Sequence, residues 1–169
     1  MLNGVLSGAM PDDAYAEVEK VAAQVPEGER SFQALNLKAI AQSARNLARR
    51  NHARAALRLA WRAFFEEWDV LVCPITAGTA FPHDHSALSG RSIEIDGQAQ
   101  PYFQQLFWAG LITVAYLPST VFPTGPASDG LPIGLQAVGP EFGDYGCIAF
   151  ADAISEETGG FTPPPGFED

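Results

Sequence analysis

Between Ser31 and Trp68 the chain contains neither glycine nor proline. Nothing in that run breaks a helix or frees the backbone, so it must settle as helix, in one piece or two. Ser31 is placed to cap a first piece, with Leu35, Ile40 and Leu47 at roughly helical spacing. Ser43 is placed to cap a longer second piece, whose apolar face takes in Leu57, Trp61, Phe64 or Phe65, and Trp68. On the opposite side Arg50, Arg54, Arg58 and Arg62 step by four residues. A basic stripe can bind phosphate, but the formal net charge is -10. A solvated face, or one paired with carboxylates on a neighbouring element, is therefore the expected reading. Upstream, "PDDAYAEVEKVAAQV" sets Tyr15, Val18, Val21 and Val25 on one helical face, and "PEGER" ends it.

After the helical run the period changes. In "DVLVCPIT" the residues Val70, Leu71, Val72 and Cys73 form a short apolar run stopped by Pro74, which suits a buried strand. A loop follows to about Ser89. The Asp96-Gly97 pair beside Ile93 and Ile95 marks a small hairpin. "PYFQQLFWAGLITVAYLP" reads as a helix beginning at Pro101, with Phe103, Leu106, Phe107 and Leu111 turned inward. "STVFPTGPASDG" gives a strand and a turn. The glycines of "DGLPIGLQAVGPEFGD" do not fit a phosphate cradle: the apolar run 133–138 lies between them, and Pro140 follows Gly139. They punctuate a strand instead. Gly130 serves a turn, Gly134 admits a close backbone and Gly139 ends the strand, with Asp144 capping a last helix. The tail 161–169 should be extended. With 169 residues, 47% hydrophobic and 18% charged, the chain suits a single domain with a real core. The expected fold is α/β, a mixed sheet of strands near 70–73, 119–122 and 133–138 flanked by helices.

Strong acidity argues against a nucleic-acid or anionic-membrane partner. No segment approaches the roughly 18 consecutive apolar residues of a membrane helix. Cys73 and Cys147 form neither a framework nor a CxxC pair, which suits reduced thiols in a cytoplasmic protein. His83, Asp84 and His85 sit together, yet one local cluster offers too few ligands to make a metal site expected. Cys73, in an apolar strand before a proline, reads as inert packing rather than a nucleophile. Ser119 and Thr120 have no base beside them in sequence. No catalytic residue and no cofactor is assigned.

Taken in order, "LRLAWRAFFEEWDVLVCPIT", "FPHDHS", "RSIEIDGQAQPYFQQLFWAGLITVAYLPSTVFPTG", "DGLPIGLQAVGPEFGD" and "GFTPPPGF" resemble the C-terminal part of the amidase signature family, serine hydrolases that cleave amides. The likeness covers most of 57–167 and fits the upstream helices more loosely. It implies catalysis by a serine in a Gly/Ser-rich segment, a second serine joined through a cis peptide bond, and a lysine acting through it. This sequence has no Gly-Gly-Ser-Ser run, and neither of its lysines, Lys20 and Lys38, stands in the family's lysine context. The resemblance therefore implies a C-terminal fragment, inactive alone, that lines a pocket for an amide completed by a preceding portion. Ile75, Thr76 and Phe81, with Phe107 and Trp108, are the pocket candidates; for the two aromatics of the later helix, ordinary core packing competes. A non-catalytic interaction module or complementing subunit is the alternative. Uncovered strand edges would make self-association expected.

Overall fold

The computed structural model describes residues 2–167. Met1 lies outside the described residues, as do Glu168 and Asp169 at the end of the expected tail. The single domain anticipated from length is organised as two compact units, one up to Ala56 and one from Leu57.

The first unit is helical. It holds α1 (Leu2–Leu6), α2 (Asp12–Gln24), α3 (Phe32–Ile40) and the start of α4 (Ala44–Phe64). Asp12 and Asp13 occupy the first turn of α2, where a negative charge opposes the helix dipole. Both expected serine caps form: Ser31 Oγ accepts from Ala34 N at 3.3 Å and Ser43 Oγ from Asn46 N at 3.2 Å. Helices α1 and α2 both pack on α3, and the Asn3 side chain donates to that of Asn36. Only small side chains, Ala34 and Ala39, are buried on α3, and none on α2.

The second unit is built on a three-stranded sheet in the order β1-β5-β4, from β1 (Leu71–Pro74), β4 (Ser119–Pro126) and β5 (Pro132–Val138). Pro74 ends β1 as the sequence indicated. Both pairings are antiparallel, so the sheet expected to be mixed is not mixed among the described residues. The turn between β4 and β5 is tight enough to bring them back side by side, and a tight connection imposes that direction. Register sets the two faces. Cys73, Gln136 and Val121 stand opposite one another, as do Val72, Ala137 and Thr120 one position away. Cys73 and Val138 meet Ile112, with Trp61, Phe65 and Trp108 packed around them. The other face places Phe122 and Ala137 against Ala151, with Phe150 and Ile154 of α6 (Asp144–Thr158).

The hairpin forms as β2 (Ser92–Ile95) and β3 (Gln98–Pro101), with Asp96 and Gly97 both at positive φ, 51° and 72°, as its two-residue turn requires. Pro101 therefore closes a strand. A 3-10 turn covers Tyr102–Gln105, and α5 runs Leu106–Thr113. That turn, with three residues per revolution, resets the phase of the helix after it. Leu106 and Phe107, expected inside, are 55% and 58% exposed; Leu111 packs inward as expected, and Trp108 and Ile112 join it at the core. A second correction concerns α6, whose N-cap is Gly143. Asp144 is its first residue and makes no side-chain cap.

The Arg-rich face of α4 is paired where it reaches this unit. Arg58 Nη2 donates to Glu141 Oε1, and Arg62 Nη2 stands 4.0 Å from Glu141 Oε2. The tail turns at 164–167, with Phe167 N bonded to Pro164 O. Among the described residues no helix is long and apolar enough to cross a membrane.

Candidate functional site

Pro74 ends β1, and the chain then runs through 75–81 without regular structure. Proline cannot donate to a ladder, so the strand stops and the segment bends away from the sheet. Between that segment and the first half of β5 lies a cavity of about 500 Å³. Ile75, Thr76 and Phe81 line one side; Ile133, Gly134 and Leu135 line the other, and Gln105 contributes an amide. Among the described residues no charged side chain lines this cavity. Within the segment, Thr76 Oγ1 donates to Gly78 O at 2.9 Å, and the Phe81 ring meets Tyr102 edge-on with centroids 5.9 Å apart.

Gly134 keeps the floor open. A Cβ there would sit 3.1 Å from Phe122 O and 3.6 Å from Ile75 Cδ1. The close backbone expected from the sequence is thus β4, and the same gap faces Ile75.

Phe107 and Trp108 lie elsewhere. They line a neighbouring cavity of about 290 Å³ with Ala77, Asp96 and Gln98. The five proposed pocket residues thus fall in two groups, with Ala77 shared between the cavities. Trp108 also packs against the Cys73 cluster, so its core role is real as well. Sequence reading did not bring Gln105, Ile133 or Leu135 to the site. For the two apolar residues the signal was available, since they occupy the half of the β5 run nearest the turn. Gln105 carried none.

The remaining chemical candidates are dispersed. His83, Asp84 and His85 are exposed; the Ser86 hydroxyl, and after it the Ser86 N–H donating to Asp84 Oδ1 at 2.8 Å, hold the Asp84 carboxyl below the usual carboxylate range. Among the described residues no group of three or more His, Cys, Asp or Glu is placed to hold a metal ion. Burial pushes the Cys73 thiol up, with a hydrogen bond to the Gln136 side chain opposing it. Burial also raises Cys147, and the Asp144 charge adds to the effect. A raised thiol is a poor nucleophile near neutrality. Ser119 begins β4, exposed, with Thr120 next along the strand. What the cavity offers is therefore an apolar wall with two threonine hydroxyls, Thr76 and Thr79, and an amide. That can hold a neutral group but carries no nucleophile with its base.

The sequence model of the Amidase family matches residues 11–148. An indoleacetamide hydrolase of Bradyrhizobium japonicum is 32% identical over 126 residues, 74% of this chain and 24% of that protein. A glutamyl-tRNA(Gln) amidotransferase subunit of Methylocella silvestris is 30% identical over 104 residues, 62% of this chain and 20% of that protein. The chain thus spans about a fifth to a quarter of the length of these relatives. A crystal structure of an amidase superposes with a TM-score of 0.58 at 22% identity, covering 86% of this chain and 32% of the other. A bacterial aryl acylamidase of the amidase signature enzymes gives 0.55 at 19% identity, covering 85% of this chain and 31% of the other. The fold is theirs, and with the family match extending across both units the chain belongs to the Amidase family.

Proposed function

We infer that this chain supplies the substrate-holding wall of an amide-hydrolysing enzyme and, alone, does not cleave the bond. The observation that carries this reading is the uncharged cavity of about 500 Å³ between segment 75–81 and β5, in a chain without the family's serine–serine–lysine set. Ile75, Thr76 and Phe81 would contact the apolar side of the amide. Phe107 and Trp108, one cavity over, would border a larger or branched substrate. Relatives named for indoleacetamide hydrolysis and for aryl acylamides agree with an amide bearing an aromatic group. Two free, buried thiols suit a cytoplasmic setting.

The test is turnover by the purified 169-residue chain on simple amides and aryl esters. None above buffer background is expected. Turnover that survives Cys73→Ala and a chelator, and titrates with a serine-directed phosphonate, would sink this reading.

A second reading, an interaction module or complementing subunit, is favoured by the sheet edges. β1 and β4 are both edge strands, and Val72 and Val121 on them are 42% and 58% exposed. Such edges are templates for pairing with another chain. Light scattering after size exclusion should show self-association at low micromolar concentration. A monodisperse 18.1 kDa monomer with a sharp melt would argue against it.

A further inference from the structure

Among the described residues of the second unit, Gln136 is the polar residue buried as a whole, 3% exposed at the middle of β5. It stands opposite Cys73 on β1 and Val121 on β4, on the sheet face where Cys73 and Val138 meet Ile112. An apolar side chain of similar volume would fill that place without burying an amide. What the carboxamide adds is directed bonding: Nε2 donates to Pro74 O at 2.9 Å, and the side chain also hydrogen-bonds the Cys73 thiol across the strand pair. Pro74 is both the last residue of β1 and the first of the cavity wall. β1 has only four residues and lies at the sheet edge, so few ladder bonds fix the direction in which the chain leaves it.

The geometry points to Gln136 as a positioning residue for the cavity. Through the Pro74 carbonyl it sets the exit angle of segment 75–81, and hence how far Ile75 stands from Gly134 across the floor. Losing that bond leaves the carbonyl of half-buried Pro74 without its side-chain donor at the hinge of an irregular segment. The segment then swings, while the opposite sheet face, covered by α6, keeps its packing. The consequence for ligand binding rests on the pocket reading above; the effect on the segment does not.

The experiment is backbone ¹⁵N relaxation on the full 169-residue chain and two variants. Gln136→Met keeps the volume and removes the donor. In it, order parameters at 75–81 should fall from about 0.85 to below about 0.6, while those in α6 stay near their original value. Gln136→Glu keeps the shape and makes the donor depend on pH. An ionised carboxylate only accepts, whereas a protonated one donates to a carbonyl. Burial raises a carboxyl above its ordinary value of about 4.3, so order at 75–81 should be lost at about pH 8 and return as pH falls toward about 5. Charge burial alone would loosen α6 together with 75–81, so the reversal supports the proposal only when α6 keeps its order throughout. Unchanged order at 75–81 in the Met variant would overturn the proposal, as would equal loosening of α6. If the Met variant does not fold, the Glu variant decides by whether order returns on acidification. Acetanilide titrated into the unaltered chain separates the two readings: no shifts at Ile75, Thr76 or Phe81 would count against the pocket and leave the Gln136 result standing.

Discussion

Both units are rich in helix, yet they treat apolar side chains in opposite ways. Up to Ala56 the buried positions of α3 are alanines, while Phe32 and Leu35 on the same helix are 44% and 47% exposed. From Leu57 onward the sheet gives two faces to cover, and Phe122, Ile112 and Val138 are almost wholly shut from water. The first unit rests on capping and helix propensity, each contributing about 1 kcal/mol or less per site. The second rests on burial, at about 1.5–3 kcal/mol for each large side chain. A glycine-free run guarantees helices. It does not guarantee that they enclose a core.

The sharpest way to break this contrast is to truncate one side chain in each unit. Phe122→Ala should cost about 3–5 kcal/mol, because a closed site collapses poorly around the hole. Leu35→Ala should cost under about 1 kcal/mol, since much of that side chain is already in water. Urea denaturation followed by circular dichroism measures both. Equal costs would mean that the first unit has a core as tight as the second.

Next in size is the floor of the cavity. Gly134→Val should cost about 1–3 kcal/mol, since its Cβ meets Phe122 O at 3.1 Å. Gly130 has φ 83° with open space around it, and Asn tolerates that conformation, so Gly130→Asn should stay within about 1 kcal/mol. Thermal melts decide. Equal melting points would mean that the strand accommodates a side chain at Gly134 by shifting away from β4.

These two glycines also show what the sequence revealed. Local chemistry was readable: the serine caps at 31 and 43, the stop at Pro74, the Asp96-Gly97 turn and a carboxylate partner for the Arg stripe. Each depends on residues within a few positions, or on charge balance. What failed depended on phase or on distance in the chain. The 3-10 turn at Tyr102–Gln105 rotated α5 and put Leu106 and Phe107 outward. Strand direction needed the pairing partner, which periodicity does not supply. The cavity joins 75–81 to 132–135, which only the register of β1 on β5 brings together. Gln136 looked like one polar residue in an apolar run, and its target, the Pro74 carbonyl, appears only in the fold.

Both cysteines lie in the second unit and are buried, so thiol labelling reports its opening alone. Reaction with a neutral disulfide at mildly alkaline pH should be much slower than in urea. Burial raises both thiols, so the folded state holds their protons more tightly than the unfolded one. Stability from these groups is complete below the unfolded value of about 8.5 and is lost as pH rises through the folded value. The second unit should therefore weaken on the alkaline side, and Cys73→Ala with Cys147→Ala should flatten that limb. Labelling as fast as in urea would show that the sheet faces open freely, and the contrast between the units would fail.

The smallest expected effect tests whether the units are separable. Ser31→Ala removes the oxygen that accepts from Ala34 N and should cost about 1 kcal/mol. Nothing large is buried on α3, so little packing holds the helix end once the cap is gone. Fraying should then extend into the first turn, raising hydrogen exchange at Leu35 and Asn36. Labelling of Cys73 and Cys147 should not change, because neither thiol is reached by opening α3. An equal rise in both readouts would mean that the first unit opens only with the second, and that the boundary at Ala56 divides the contacts without dividing the stability.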